Sequence, residues 1–362
     1  MTDLNLSRTT TTGMNSAVTN YAVSSKIIDE PSKTEETVWE NPNWSKYLGY
    51  YKQIPEFKEA IRALANWAVG KGYVTGPEEQ VILEHIRGAG EDSFQSIMTN
   101  HIIVKKVNGD AYAEIIKDDK TGILINLKPL NPATMRTVFN KKGLIVRYEE
   151  FDPSSKGKEA VRKFEVKDIL HSMNDRVANE THGTSVLEAC QWVIDARNEA
   201  MADKRRVHHR STIRIMEVDA DDTSKLNSLK TQYADAIKNG EVLIVPKGDV
   251  SFPNAPINYI DTLDWIRYLE GFFYQAVGVP KIILGGADQI SEGSNKMSSY
   301  NFEQVYMTEQ KLLEQDIWNQ LHMRVTFERP ASLQDNMQSN EAKNTSQTGF
   351  QSKDFSVTGG RE

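Results

Sequence analysis

Between residues 256 and 330 the chain shows its most regular pattern of apolar and polar positions. Apolar side chains recur at steps of three and four over 259–277 and again from about 298 to 321, which is the spacing that lines one helix face. Three aromatic residues lie on an adjoining face of the first helix: Trp265, Tyr268 and Phe272. The apolar surface of that helix is therefore wider than a single packing partner requires.

A polar segment from Gly285 to Lys296 joins these two helices, and we predict it to be a loop of about a dozen residues. Gly278 and Pro280 end the helix before it, because Pro lacks a backbone donor and Gly permits a turn. Loops of this length inside ordered structure are usually functional. The candidate contact residues of this loop are Asp288, Gln289, Ser291, Glu292, Ser294, Asn295 and Lys296.

The first half of the chain changes its pattern twice. Residues 1–38 are rich in Thr, Ser and Asn, which predicts a disordered arm. Helical patterns follow over 54–69, 78–86 and 93–107. Short β-rich runs, separated by turn residues, then cover 111–116, 123–127, 134–139, 144–148, 161–166 and 168–171. This order predicts an α+β domain with an antiparallel sheet.

The helical pattern returns over 183–201. A small βαβ-like insert is then predicted over about 211–256, with strands at 213–218 and 241–245 and a helix between them that starts at Ser224. After Pro330 the chain turns polar, and we predict that residues 331–362 are largely disordered.

Composition and charge narrow the class of protein. A length of 362 residues favours two or three domains, with one elaborated domain as the alternative. A net charge of −7 provides no global basic field to attract nucleic acid. Cys190 is the single cysteine, so disulfide frameworks and thiolate metal sites within one chain are excluded. No apolar run approaches the ~18 residues of a membrane span, and no signal-peptide core is visible. We therefore expect the protein to be made and used in a reducing cytoplasm.

The sequence lacks the usual catalytic constellations. The polar segment does not end in the Gly-Lys-Ser/Thr of a P-loop, and the seven histidines form no His-Glu-x-x-His zinc motif. His171, Asp175 and Ser185 have the residue types of a hydrolytic triad, but no Gly-x-Ser-x-Gly elbow surrounds Ser185. We therefore predict no catalytic residue, metal or cofactor, and we do not expect an enzyme.

A basic cluster runs from Lys204 to Arg210 and includes Arg205 and Arg206. Three interpretations stay open: phosphate contacts, a solvated helix end favoured by the helix dipole, or pairing with acidic residues of a neighbouring subunit. The acidic candidates follow within a few residues and are Glu217, Asp219, Asp221 and Asp222.

Four stretches, taken in order, resemble the portal proteins of tailed double-stranded DNA viruses, in the HK97-like phage portal family. Asn108–Glu114 resembles the family's NGDAY strand entry, and Leu127–Pro132 resembles its L-x-P-L-x-P turn. Gly183–Ala189 is similar to its G-x-S-x-L-E helix start, and Phe273–Gly285 to its FGVP…LG segment. The likeness spans about residues 50–330.

The resemblance implies a ring-forming α+β portal fold with an antiparallel-sheet wing, long stem helices, a small α/β clip insert and a tunnel loop and helix. The seven polar contact residues would then face DNA. In order, the implied segments are a disordered arm (1–38), the wing (39–182), stem helix 1 (183–210), the clip (211–256), stem helix 2 (257–280), the tunnel loop (281–297), the tunnel helix with a wing return strand (298–330), and a polar tail or reduced crown (331–362).

The resemblance further implies a ring of twelve copies at one capsid vertex, assembled in the host cytoplasm. Double-stranded DNA would be packaged and ejected through it without its sequence being read. The implied partners are other copies of the chain, the terminase motor, a head–tail adaptor, and the major capsid or scaffolding protein, with no membrane involved. Two alternatives stay open: an α+β hydrolase-type enzyme using Ser185 or His171, and a scaffold or adaptor protein without a channel.

Overall fold

The computed structural model describes residues 36–140, 142–153, 159–178, 180–210, 214–218, 223–234, 242–246, 262–285 and 292–330. The chain divides into two compact units. A larger unit contains the described residues up to 188 and those from 274 onward, and a smaller unit contains those from 189 to 273. The larger unit is therefore built from two segments that are distant in sequence.

Four helices open the larger unit, and they are α1 (Trp44–Gln53), α2 (Pro55–Val69), α3 (Pro77–His85) and α4 (Phe94–Asn108). Pro55 stands in the first turn of α2, where its missing N–H removes no helical hydrogen bond. Ser93 caps α4 by accepting a hydrogen bond from the backbone of Ser96, and Gly109 ends the helix. The bounds of α2, α3 and α4 agree with the predicted helices to within a residue or so.

Eight strands lie in the first half of the larger unit, and they are β1 (Glu36–Trp39), β2 (Tyr73–Val74), β3 (Asp110–Lys117), β4 (Leu124–Pro129), β5 (Met135–Asn140), β6 (Ile145–Phe151), β7 (Ala160–Glu165) and β8 (Ile169–Met173). One sheet has the order β1-β5-β6-β7 and a second has the order β4-β3-β8. Every pairing within these two sheets is antiparallel. The prediction of an α+β fold with antiparallel sheet is confirmed.

The smaller unit contains α5 (Gln191–Arg210), β9 (Arg214–Val218), α6 (Thr223–Gln232), β10 (Val242–Pro246) and most of α7 (Thr262–Val277). β9 and β10 pair in parallel, with Arg214 opposite Val242. Parallel neighbours need a crossover connection, and α6 lies between them in sequence. The predicted α/β insert is therefore present.

The chain returns to the larger unit through a 3₁₀ turn (Lys281–Leu284), α8 (Glu292–Leu321) and β11 (Thr326–Phe327). β11 pairs with β2, which joins the last described strand to a strand between α2 and α3. α8 buries Leu313, Ile317 and Leu321 in one apolar cluster together with residues of α2 and α4. None of the helices in the described ranges combines the length and apolar character that a bilayer crossing requires.

The start of α5 differs from the prediction, which placed it at residue 183. Backbone N–H groups of this stretch are committed to other segments, since Gly183 donates to Asp110 Oδ1 (2.9 Å) and Thr184 donates to the carbonyl of Asn174 (2.8 Å). Val186 likewise donates to a carbonyl of α4 (3.1 Å). Residues 186–190 then form turns, and the helix begins only at Gln191.

Two further boundaries were predicted wrongly. α8 begins at Glu292 rather than near residue 298. The sequence permits this, because Ser291 has a residue type favoured before a helix and the acidic Glu292 suits the positive end of the helix dipole. Residues 36–38 belong to strand β1 rather than to a disordered arm, and Glu36 forms an ion pair with Arg147 (2.7 Å). Residues 1–35 and 331–362, predicted as disordered, lie outside the described residues.

Candidate functional site

An aromatic ladder runs along α5 and α7 in the smaller unit. The ring of Trp192 meets Phe272 at 5.6 Å between centroids, Phe272 meets Tyr268 at 5.1 Å, and Tyr268 stacks on Trp265 at 5.6 Å. Three of the four residues are about half exposed, at 52% for Trp192, 59% for Tyr268 and 46% for Trp265. A contiguous aromatic surface of this kind is typical of an interface with another protein surface.

The same two helices also carry a buried face. Leu269 and Phe273 of α7 are fully buried. Arg197 of α5 lies 3.4 Å from a carboxylate oxygen of Glu270, and its guanidinium is 5.7 Å from the centre of the Phe273 ring. α7 thus has two apolar faces, one buried and one exposed, as the width of its apolar pattern predicts.

The predicted basic cluster occupies the last turns of α5. Arg205 and Arg206 are exposed, Lys204 is half-buried, and Arg206 pairs with Asp203 one turn earlier (3.0 Å). Arg210 is the last residue of α5, and Glu217 lies in β9. The remaining acidic candidates, Asp219, Asp221 and Asp222, lie outside the described residues. Pairing between subunits through this cluster therefore stays a prediction.

The polar segment begins after a tight reversal at Gly278. Gly278 has a φ of 77°, and its N–H donates to the carbonyl of Tyr274 (2.9 Å). A Cβ at this position would lie 3.2 Å from a methyl group of Val305 in α8. The positive φ thus favours glycine, and the close approach of α8 leaves little room for a side chain.

The early start of α8 changes the setting of the predicted DNA-facing residues. Glu292, Ser294, Asn295 and Lys296 lie in the first turns of α8. Asp288, Gln289 and Ser291 lie outside the described residues. More than half of the predicted contact residues therefore lie in the first turns of a helix and not in a loop.

Side chains of α2 fix α8 in the larger unit. Trp67 of α2 packs edge-on against Phe302 at 5.3 Å between centroids and lies 5.6 Å from Tyr306. One turn further along, Gln310 donates a hydrogen bond to the carbonyl of Ala68 (2.7 Å). α8, which carries four of the candidate contact residues, is thus held in place by its packing against α2.

A buried ion cluster holds α8 to α4. Glu309 pairs with Lys106 (2.9 Å) and with Lys105, whose side chain is almost fully buried. Burial raises the pKa of Glu309, but the two lysines outweigh that effect and lower it to about 2. In α4, burial lowers the pKa of His101 to about 3, so the imidazole is neutral in the folded protein. No local sequence pattern identifies this cluster, because its members come from helices about 200 residues apart.

Two of the four family-like stretches meet in a joint, which we define as Gly109, Asp110, Asn174 and Gly183. The carbonyl of Gly109 accepts a hydrogen bond from Asn174 N (2.7 Å), and Asp110 Oδ1 accepts one from Gly183 N (2.9 Å). A Cβ on Gly183 would lie 2.2 Å from the carbonyl oxygen of Gly109 and 2.6 Å from Asn174 N, far inside contact distance. The glycine that opens the Gly183–Ala189 stretch is therefore explained by the close passage of the Asn108–Glu114 stretch.

Asp110 also ends a buried hydrogen-bonded chain between the two sheets. Tyr148 of β6 bonds to His171 Nδ1 (3.0 Å), and His171 Nε2 bonds to Asp110 Oδ1 (3.0 Å). Burial raises the pKa of Tyr148, so its hydroxyl stays protonated. Both imidazole nitrogens of His171 are thus committed to structural partners.

The hydrolase alternative finds little support in this geometry. Ser185 is buried, and its hydroxyl donates to the carbonyl of Val107 (2.6 Å) while accepting from Leu187 N (3.1 Å). His171 faces Tyr148 and Asp110 instead of a nucleophile. Among the described residues no group of His, Cys, Asp or Glu could hold a metal ion. The hydrogen bonds of Ser185 and His171 thus stabilise the folded structure.

Neither a protein-family model nor a curated protein sequence matches the chain. Its fold is similar to a chain in the virion of a native gene transfer agent (GTA) particle, with 14% identity and a TM-score of 0.58 over 88% of this chain and 93% of that chain. The neck of a native GTA particle, computed with C12 symmetry, matches with 14% identity and a TM-score of 0.58, over 84% and 89%. An HK97 family phage portal protein from Corynebacterium diphtheriae gives 12% identity and a TM-score of 0.48, over 80% and 97%.

Proposed function

We propose that this chain is a portal protein, a subunit of a twelve-membered ring at one vertex of a viral capsid. Double-stranded DNA is packaged and later ejected through the channel of this ring. The fold shared with a chain of a GTA neck computed with C12 symmetry supports a ring of this kind. The four portal-like stretches in the sequence support the same assignment.

The observation that carries the proposal is the aromatic ladder on α5 and α7. A monomer gains nothing by leaving Trp192, Trp265 and Tyr268 in water, whereas a neighbouring copy can cover them. In a head-to-tail ring each copy presents this surface to the next, so one contact is repeated around the circle. The two helices then lie along the subunit boundaries as the stem.

The remaining segments take roles around this stem. The two antiparallel sheets, with α1–α4 and the β2–β11 pair, form the wing. The insert around β9, α6 and β10 forms the clip, which docks the terminase motor during packaging and a head–tail adaptor afterwards. The outer surface of the ring contacts the major capsid or scaffolding protein at the vertex.

The segment from Asp288 to Lys296 contacts DNA without reading its sequence. It carries Lys296 against Asp288 and Glu292, so its charge is close to neutral. Duplex DNA presents one phosphate charge per ~1.7 Å, and a strongly basic loop repeated twelve times would hold it in place. A nearly neutral polar contact lets the duplex slide, which packaging requires.

The test is the mass and shape of the purified full-length protein, measured by native mass spectrometry and electron microscopy. We expect a closed ring whose mass is a multiple of 40.9 kDa, with twelve copies in the assembled state. Trp265→Ser with Tyr268→Ser should shift the population to monomers, because both side chains lose the apolar surface that a neighbour covers.

Trp318→Ser is the matched control, since Trp318 of α8 has the same 46% exposure as Trp265 but lies outside the ladder. The ring should survive this change. A protein that stays monomeric over a wide range of concentration and salt would favour the scaffold or adaptor alternative. If the Trp265 and Tyr268 substitutions leave ring assembly unchanged, the interface between subunits lies on another surface.

A further inference from the structure

A groove of about 600 Å³ lies between α2 and the 3₁₀ turn in the larger unit. Its rim on α2 contains the exposed side chains of Lys58, Arg62 and Asn66, at steps of four residues. Ile283 and Leu284 of the turn line it with half-buried apolar surface. The groove thus combines an apolar lining with a polar helix edge.

The charge of this groove is positive. Lys58 and Arg62 are one helical turn apart, about 6 Å along the axis, and so lie on the same side of α2. Neither cation has a salt-bridge partner among the described residues, and Glu59 is the one carboxylate in the lining. Two cations against one anion leave the groove ready for an acidic partner with similar spacing.

The smaller unit presents such a surface on α5, which we call the acidic face. Asp195, Glu199 and Asp203 are exposed and recur at steps of four residues. Trp192 lies on the same side of the helix, since three and four residues correspond to about one turn. The acidic face thus joins three carboxylates at about 6 Å intervals to an exposed indole at one end.

We propose that the acidic face of α5 in one copy docks into the Lys58–Arg62 groove of the next copy. Equal spacing lets two carboxylates meet the two cations in register, and the indole of Trp192 covers Ile283 and Leu284. The two surfaces differ, so the contact is heterologous and propagates around a ring instead of closing a dimer. This inference rests on the proposed ring and names the second surface that each subunit offers to its neighbour.

The first test reverses the charges of the groove in the full-length chain. Lys58→Glu with Arg62→Glu should raise the midpoint concentration for assembly by about tenfold or more at low salt, because like charges then face each other at every boundary. Adding Asp195→Lys with Glu199→Lys should restore assembly to within about threefold of the wild type. Lys52→Glu with Lys71→Glu is the matched control, since these exposed lysines lie outside the groove and carry the same change in charge.

The second test joins two different chains. Arg62→Cys and Glu199→Cys proteins are mixed and treated with a short bismaleimide, in which each thiol adds across one maleimide double bond. We expect a covalent dimer from the mixture and none from Arg62→Cys alone, and the wild type controls for the buried Cys190. Glu199→Cys on its own should likewise give no dimer.

The outcomes separate this contact from the ring itself. If the wild type forms no ring, the proposed function fails. If the wild type forms a ring that the Lys58 and Arg62 reversals leave unchanged at every salt concentration, the ring stands and this contact is wrong. The contact is also wrong if the reversed variant assembles normally but binds a duplex oligonucleotide more weakly, because the groove then meets phosphates.

Discussion

The backbone N–H of Gly183 donates a hydrogen bond to the carboxylate of Asp110 over 2.9 Å, although 73 residues separate the two. The same oxygen accepts from His171, whose other ring nitrogen reaches Tyr148. One buried carboxylate therefore ties β3, β8, β6 and the segment before α5 together.

Replacing Gly183 with alanine should strongly destabilise the larger unit. The new Cβ would stand 2.6 Å from Asn174 N, and the nearest atoms are backbone, which cannot rotate away. Overpacking in a close-packed interior typically costs about 1–3 kcal/mol, and we expect the upper end or more here. Chemical denaturation measures the loss of free energy of unfolding.

The matched control is Gly49→Ala. Gly49 lies inside α1, and no atom comes within 4 Å of a Cβ added there. Alanine in a helix interior is favoured over glycine, so this change should stabilise by up to about 1 kcal/mol. Equal stability of the two variants would mean that the backbone crossing at Gly183 relaxes easily.

Asp110→Ala should cost more than Asp110→Asn. Alanine leaves the buried donors of Gly183 and His171 without an acceptor, at about 1–3 kcal/mol for each unsatisfied group. The amide oxygen of Asn keeps both hydrogen bonds, although its NH₂ replaces an Oδ2 that has no hydrogen-bond partner among the described residues. We expect denaturation midpoints in the order wild type, Asn, Ala, and the reverse order of the two variants would contradict this account.

Stability should fall on mild acidification because of His101. Burial lowers the pKa of His101 from its usual 6.5 to about 3, so between these values the unfolded chain binds a proton that the folded chain does not. The stabilising effect of the neutral form is complete above pH 6.5 and is lost as the pH falls. Between pH 6.5 and 5 the loss is about 2 kcal/mol, at 1.36 kcal/mol per pH unit.

His101→Leu removes this titration and places an apolar side chain in the buried position. The free energy of unfolding of this variant should change less between pH 6.5 and 5 than that of the wild type. Measurements at pH 8 give the reference, because His101 is neutral in both states there. An unchanged slope would assign the acid sensitivity to other groups.

Charge reversal in the polar segment tests the DNA contact. Asp288→Lys with Glu292→Lys makes the segment basic, and twelve copies should then retain DNA during packaging or ejection. The effect should be largest at low salt, where phosphate attraction is least screened. Packaging and ejection at wild-type rates at low salt would show that this segment does not line the narrowest part of the channel.

Local patterns in the sequence predict much of the fold. The helices around Phe57, Leu83 and Ile97 and the change to short strands after Gly109 follow from periodicity and turn residues, because these act within a few residues of chain. The order of the elements likewise predicts an α+β fold. The failures occur where distant groups decide the conformation.

Gly183–Val186 has helix-compatible residue types, yet its N–H groups bind acceptors that lie 10 to 80 residues earlier in the chain. No local pattern encodes such partners. The same limit applies to the candidate site. The sequence identifies the aromatic residues of α7, but it gives no indication that Trp192 of α5 completes the ladder or that Lys58 and Arg62 border a groove.

The early start of α8 limits how far the polar segment can extend. A loop of twelve residues, anchored at both ends, could extend about 23 Å from its base at full stretch. The six residues between Gly285 and Glu292 can extend only about 12 Å. The width of any opening that this segment borders is therefore set mainly by where α8 begins. The packing of Trp67 against Phe302 and Tyr306 holds this helix in place. Substitutions at these three positions should therefore change the width of the proposed channel without altering any residue that is proposed to contact DNA.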